Sequence, residues 1–150
     1  MSEHDPSAFD ACCPSGTACI FAKALLSQVA VCGLARRRSV GERELVECSS
    51  VVARTNCGTL AALMHERARF ALRLPGPGQL MIHAQALRLH CGGLIGLQRV
   101  LAVAQPDVHA MVGVAHERLG SLTELPWDVI VREIANWQPN RRRRTVSDER

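Results

Sequence analysis

The sequence predicts an all-α fold, a small bundle of four or five helices with a central αα-hairpin. Aromatic residues make up only 3% of the chain and Tyr is absent. The core must therefore be built from Leu, Val, Ala, Met and Cys, a set that suits packed helices better than a β-sandwich. Apolar residues also recur at intervals of three and four along several segments. With 150 residues and a hydrophobic content of 47%, the chain is long enough for one ordinary core.

Composition divides the chain into three regions. Residues 1–14 contain two prolines and no sustained periodicity, which predicts a flexible N-terminal arm. Residues 15–138 are predicted to form a single helical domain, and residues 139–150 a basic disordered tail. The tail carries three of the four net positive charges, so the body is nearly neutral. Nucleic-acid binding through the tail is therefore weakly supported, and a solvated tail is preferred.

A first helix is predicted from a cap at Ser15 or Thr17 to about Leu34, because its apolar residues form one wide face. The segment 35–44 that follows is rich in Arg and Glu and is predicted to be an exposed connection. Residues 43–48 alternate in polarity, but six residues do not decide between an extended piece and a loop.

Residues 51–103 are predicted to form the central αα-hairpin. Its first helix starts after a cap at Ser49 or Ser50 and ends at the LPGPG segment, since Pro removes a backbone donor and Gly permits a reversal. Its second helix spans about 79–104. Three glycines there each cost roughly 1 kcal/mol against Ala, namely Gly92, Gly93 and Gly96. We interpret them as room for a close helix contact or for a bulky inorganic group.

Two further helices complete the predicted bundle. Asp107 is a candidate cap for a helix that reaches about Leu119. Pro126 is expected in the first turn of the last helix, which ends near Trp137 before Pro139.

The N-terminal composition and the cysteines indicate a cytoplasmic protein. The first ten residues are acidic and polar, whereas a secretory signal begins with positive charge and an apolar run. The longest apolar stretch, 18–34, is interrupted by Lys23 and Gln28, which argues against a membrane span. Seven cysteines, an odd number, are not expected to form a disulfide framework in a reducing compartment.

The cysteines predict a buried metal centre. None of them forms a CxxC pair, so the usual zinc-ribbon, zinc-finger and thioredoxin patterns are absent. Single thiolates from separate helices suit an iron–sulfur cluster, which most often takes four Cys ligands. The predicted ligands are Cys19, Cys48, Cys57 and Cys91, with Cys13 or Cys12 as the competitor for Cys19.

Each predicted ligand has a physical reason. Cys19 and Cys48 are expected at helix N-termini, where the helix dipole stabilises negative charge. Cys57 and Cys91 are expected to face the core. Arg54, one turn before Cys57, is a candidate to offset the charge of the cluster, although a solvated helix position explains it equally well.

Packing is the alternative explanation for every cysteine, because free Cys often serves as a small buried hydrophobe. Cys32 is assigned this role, since a continuous helix places it half a turn out of phase with Cys19. His83, two turns before Cys91, is the best-placed additional ligand, but a core or boundary position is the more common role of such a residue.

The predicted function is that of an iron–sulfur protein, with a [4Fe–4S] cluster, acting in electron transfer, in redox sensing or as an accessory to a redox enzyme. Its partner is then a redox enzyme or a regulator. The alternatives are a helical protein-interaction module with structural zinc or no metal, and a thiol enzyme that uses Cys12 or Cys13. The phosphate loop, the dinucleotide fingerprint and the HExxH pattern are absent, so the common enzyme motifs give no support to catalysis.

Overall fold

The computed structural model describes residues 17–76 and 79–139. These residues form five α-helices, one 3₁₀ turn and a two-stranded antiparallel sheet. In chain order the elements are α1 (Ala22–Leu26), β1 (Ala35–Val40), β2 (Arg43–Cys48), α2 (Val51–Leu72), α3 (His83–Leu101), α4 (Val108–Leu119), the 3₁₀ turn Leu122–Glu124 and α5 (Trp127–Asn136). The all-α prediction is therefore wrong, and the protein is a mixed α/β structure.

The predicted N-terminal arm, 1–14, lies outside the described residues, as does the predicted tail after its first residue. The last two residues of the LPGPG segment, 77–78, are also outside them. Within the part of the chain that the structure describes, none of the helices combines the length and the apolar character that a membrane crossing needs.

The predicted first helix is interrupted early. α1 ends at Leu26, and Gln28 has a φ of 64°, a left-handed conformation that a right-handed helix cannot contain. Beyond this turn the chain is extended. The N–H of Val31 donates to the carbonyl of Pro106 (3.0 Å), and the carbonyl of Val31 accepts from the N–H of Val108 (2.8 Å). The chain therefore crosses to the start of α4 instead of continuing as a helix.

The segment predicted to be an exposed connection forms most of a β-hairpin. β1 and β2 are joined by a two-residue turn in which Gly41 has a φ of 63°, a conformation that Gly adopts without steric cost. Across the strands, Arg37 forms an ion pair with Glu44 (3.1 Å) and Arg38 with Glu47 (2.7 Å). The alternation in residues 43–48 thus marked a strand, and charges that suggested a loop form ion pairs between diagonal positions of the two strands.

α2 and α3 form the predicted αα-hairpin with slightly shorter helices. The Ser50 hydroxyl accepts a hydrogen bond from the N–H of Ala53 (3.1 Å), which confirms the predicted cap. α2 ends at Leu72, and the next residue, Arg73, is left-handed with a φ of 55°. The inward face of α2 buries Ala53, Leu60, Met64 and Ala68.

Close helix packing explains the glycines of α3. A Cβ atom at Gly92 would lie 2.6 Å from the Cα of Ile134 in α5, and one at Gly96 would lie 3.1 Å from the α5 main chain. A Cβ atom at Gly93 would lie 2.6 Å from the Met64 side chain of α2. Gly92 and Gly96 therefore let α3 approach the main chain of α5, and Gly93 leaves room for the Met64 side chain of α2. Close packing is the first of the two explanations that the sequence suggested.

The last two helices lie where they were predicted. The Asp107 carboxylate accepts a hydrogen bond from the N–H of Ala110 (3.1 Å) and caps α4. The indole N–H of Trp127, the first residue of α5, donates to the carbonyl of Leu122 (3.1 Å). Between the helices lies one apolar core whose fully buried side chains include Leu60, Met64, Leu89, Leu97, Met111, Ile130 and Ile134.

Gly92→Ala should lower the free energy of unfolding by about 1–3 kcal/mol, because the added methyl group overlaps the α5 backbone. Gly58 is the matched control, since it also lies inside a helix but a Cβ atom there would meet nothing within 4 Å. Gly58→Ala should therefore raise the free energy of unfolding by about 0.5–1 kcal/mol. Urea denaturation measures both values, and effects of the same sign would contradict the packing described.

Candidate metal centre

Two of the predicted ligands lie on neighbouring extended segments. The N–H of Cys48 donates to the carbonyl of Thr17 (2.7 Å), and the N–H of Cys19 donates to the carbonyl of Val46 (2.9 Å). Residues 17–19 therefore run antiparallel along β2, with Ala18 opposite Glu47. In this register the side chains of Cys19 and Cys48 are diagonal neighbours on one face, typically about 7 Å apart.

Cys32 lies near Cys48 on the other edge of β2. Ala35, the first residue of β1, is the register partner of Cys48, and its N–H donates to the carbonyl of Cys32 (3.2 Å). The N–H of Ser49 also donates to the carbonyl of Leu34 (3.0 Å). These bonds hold the turn that carries Cys32 against the end of β2.

The fourth thiol comes from α2. The Nε of Arg54 donates to the carbonyl of Ala18 (2.6 Å), which ties the first turns of α2 to the segment 17–19. Cys57 lies one turn further along the same side of the helix. It is half-buried, as are the thiols contributed by the other three segments. We refer to Cys19, Cys32, Cys48 and Cys57 as the four-cysteine site.

The thiols of this site are close enough to influence one another's ionisation. Burial, and then the nearness of Cys32, Cys19 and Cys48, raises the pKa of Cys57 to about 12. Without a metal, the Cys57 thiol is therefore protonated at neutral pH. All five cysteines that the structure describes are free thiols.

Groups around the site act on the ionisation of Cys19 in opposite directions, and burial has the largest effect. Burial raises the pKa of Cys19, and two other thiols of the site act in the same direction. The main chain at Phe21 and the guanidinium of Arg54 both lower that pKa, but the pKa of Cys19 is raised overall. The thiol of Cys48 donates to the carbonyl of Ser50 (3.3 Å). Arg54 is thus fixed next to the site by its bond to the main chain.

The four-cysteine site contains three of the predicted ligands together with Cys32, which the sequence analysis assigned to packing. The fourth predicted ligand, Cys91, lies on α3 with none of its surface exposed. Burial raises the pKa of Cys91 to about 11, while a hydrogen bond with the Ser27 side chain lowers it. None of the other thiols contributes to that shift. Cys12 and Cys13, the competitors for Cys19, lie outside the described residues.

Cys32 was not predicted as a ligand, because a continuous helix over 17–34 would place it out of phase with Cys19. The left-handed turn at Gln28 removes that phase relation. Gly33, directly after Cys32, was the available sign that the helix does not continue through it.

The four sulfurs are neighbours, but they do not form a complete coordination shell for a metal. Among the described residues, no group of three or more His, Cys, Asp or Glu side chains is arranged to hold a metal ion. The structure brings together reduced thiols from four segments. The guanidinium of Arg54 and the main chain at Phe21 lie beside them.

His90 is a partly buried residue of α3 that packs against Phe21. Its Nδ1 is buried without a hydrogen-bond partner among the described residues, and its ring packs edge-on against Phe21 with 5.1 Å between the ring centroids. Burial, and then the nearby Lys23, lowers the pKa of His90 to about 4. His83 is exposed at the start of α3.

No protein-family profile, curated protein or solved structure matches this chain. The functional assignment therefore rests on the residues and the geometry described above.

Acidification should lower the free energy of unfolding of the wild-type protein more than that of the His90→Leu variant. In the unfolded chain a His titrates near pH 6.5, so between pH 6.5 and 4 the unfolded state binds a proton that folded His90 does not. Stability that His90 contributes above pH 6.5 is therefore lost as the pH falls towards 4, by an amount on the order of 3 kcal/mol. Urea unfolding across this pH range measures the difference, and parallel pH profiles for the two proteins would contradict it.

Proposed function

We propose that the protein binds an iron–sulfur cluster through Cys19, Cys32, Cys48 and Cys57. The observation that carries this proposal is the convergence of four half-buried thiols from four separate segments. Thiolates are the ordinary ligands of iron–sulfur clusters, most often four of them, whereas hard cations prefer oxygen ligands. A [4Fe–4S] cluster, with one thiolate for each iron, is the type that we assign. Cys32 replaces Cys91 in the ligand set expected from the sequence.

The surroundings of the site support an anionic cluster. The main chain at Phe21 lowers the pKa of Cys19, and polar main-chain groups near cluster sulfurs stabilise negative charge there and tune the potential. Arg54 supplies a positive charge that partly offsets that of the thiolates. Loading the site releases the protons of the thiols and requires the four side chains to draw closer around the cluster.

The role that follows is electron transfer, redox sensing or service as an accessory to a redox enzyme, in each case with a protein partner. Half-buried ligands support this role, because they leave one side of the cluster near the surface. A cytoplasmic location belongs to the proposal, since free thiols persist in a reducing compartment. Contact with nucleic acid is not part of it, because Arg37 and Arg38 of the hairpin are already paired with Glu44 and Glu47.

Structural zinc is the second candidate. Four thiolates also form a common zinc site, and here they would join the β-hairpin to α2. The protein would then be an interaction module whose metal holds its fold. The same four cysteines serve both candidates, so the bound metal distinguishes them.

Protein purified without oxygen should be brown and contain iron and acid-labile sulfide in equal amounts. Changing any one of the four cysteines of the site to Ala should lower the iron content on the order of tenfold or more, because Ala cannot replace a ligand. Cys91→Ala is the matched control, since it removes a thiol outside the site, and it should keep the wild-type iron content.

Three results would change the assignment. Zinc in place of iron, lost in the same four variants, would favour the zinc candidate. Iron lost in Cys91→Ala but kept in Cys32→Ala would restore the ligand set expected from the sequence. Failure to bind either metal after anaerobic reconstitution with iron and sulfide, in a folded protein, would contradict a metal centre of any kind.

A further inference from the structure

A narrow groove leads from the surface to Cys57 between α2 and α4. α2 contributes Asn56 and Cys57 to its lining, and α4 contributes His109, Gly113 and His116. The volume of the groove is about 70 Å³. A single water molecule needs roughly 10–15 Å³ of such space. The groove therefore has room for a molecule of a few atoms and excludes a bulky ligand.

The lining of the groove favours an uncharged occupant. None of the described residues that form it is Asp, Glu, Lys or Arg. Ala53 and Val112 add apolar surface between the polar groups. An ion entering the groove would lose water without gaining an opposite charge, which is unfavourable, whereas a small neutral molecule pays no such penalty.

Gly113 is an exposed glycine in the lining of the groove. It lies inside α4, where Gly costs roughly 1 kcal/mol relative to Ala. Packing does not explain this cost, because a Cβ atom at position 113 would meet nothing within 4 Å, in contrast to the crowded position of Gly92. We expect a larger side chain at 113 to extend over the groove and close it.

We propose that this groove is the access path by which a small uncharged molecule of the size of dioxygen reaches the Cys57 corner of the iron–sulfur cluster. The inference rests on the proposed function and narrows it. Among the thiols of the four-cysteine site, only Cys57 lines the groove in the part of the chain that is described. Access of a dissolved gas to one corner of the cluster suits a redox sensor and does not serve an electron carrier.

The path can be tested first without the cluster, by alkylation of the full chain prepared free of metal. Iodoacetamide is small and uncharged, and peptide mass spectrometry separates its reaction at Cys57 from that at Cys32. At one alkaline pH, where part of Cys57 is thiolate, Gly113→Leu should slow alkylation of Cys57 relative to Cys32 on the order of tenfold, because the reagent must reach the sulfur. Gly58→Leu, the same substitution at an open helical position outside the groove lining, should change the ratio by less than about twofold.

Unchanged relative rates at Cys57 in Gly113→Leu would overturn the proposal. Gly113→Met provides a second way to fill the groove with an unbranched side chain, should Gly113→Leu not fold. A slowed reaction in either folded variant, without an effect of Gly58→Leu, supports the path.

Cluster-loaded protein provides the second arm, in which the loss of visible absorbance is followed in air-saturated buffer. Gly113→Leu should keep its absorbance on the order of tenfold longer than the wild type, and Gly58→Leu should match the wild type. If the wild type holds a cluster and all three proteins lose it at one rate, the access path is wrong while the proposed function stands. If no cluster forms, the proposed function fails, and the alkylation ratio alone decides whether the groove reaches Cys57.

Discussion

Hydrogen bonds along both edges of β2 hold the candidate site together. On one edge, the N–H of Cys48 and the carbonyl of Val46 bind the segment 17–19, and on the other edge β1 brings the turn that carries Cys32. Three of the four thiols are thus positioned by main-chain groups, whose geometry depends little on the surrounding side chains. Arg54 connects α2 to the same segment and adds Cys57. The helical bundle supports this arrangement through α2, which belongs to both the core and the site.

The sequence predicted the helices in those segments where the local cap and spacing signals agree with the tertiary packing. The caps at Ser50 and Asp107 and the regular apolar spacing placed α2 to α5 within a few residues of their observed bounds. The chain before α2 was different. The main-chain groups of Val31 form hydrogen bonds with Pro106 and Val108, which are distant in sequence. Two arginines of β1 form ion pairs with glutamates of β2 only after the strands have paired. Neither partnership leaves a periodic pattern along the chain.

The site was predicted in part, and for different physical reasons from those observed. Cys19 and Cys48 were expected in one site because both were predicted at helix N-termini, whereas strand pairing brings them to one face. Cys57 and Cys91 share an inward-facing position, but a helical stripe reveals burial and not which residues meet across the core. Cys91 is fully buried on α3, whereas Cys57 is half-buried and lies near Cys19, Cys32 and Cys48. Cys32 could be placed only once the break at Gln28 was known.

X-ray absorption at the metal edges of protein purified without oxygen addresses the central proposal most directly, because it identifies the bound element and the atoms around it. We expect iron surrounded by sulfur, with a further shell of neighbouring iron atoms, as in a cluster held by thiolates. Zinc with four sulfur neighbours at about 2.3 Å and no metal neighbour would contradict an iron–sulfur centre. A folded protein without any bound metal would contradict it as well.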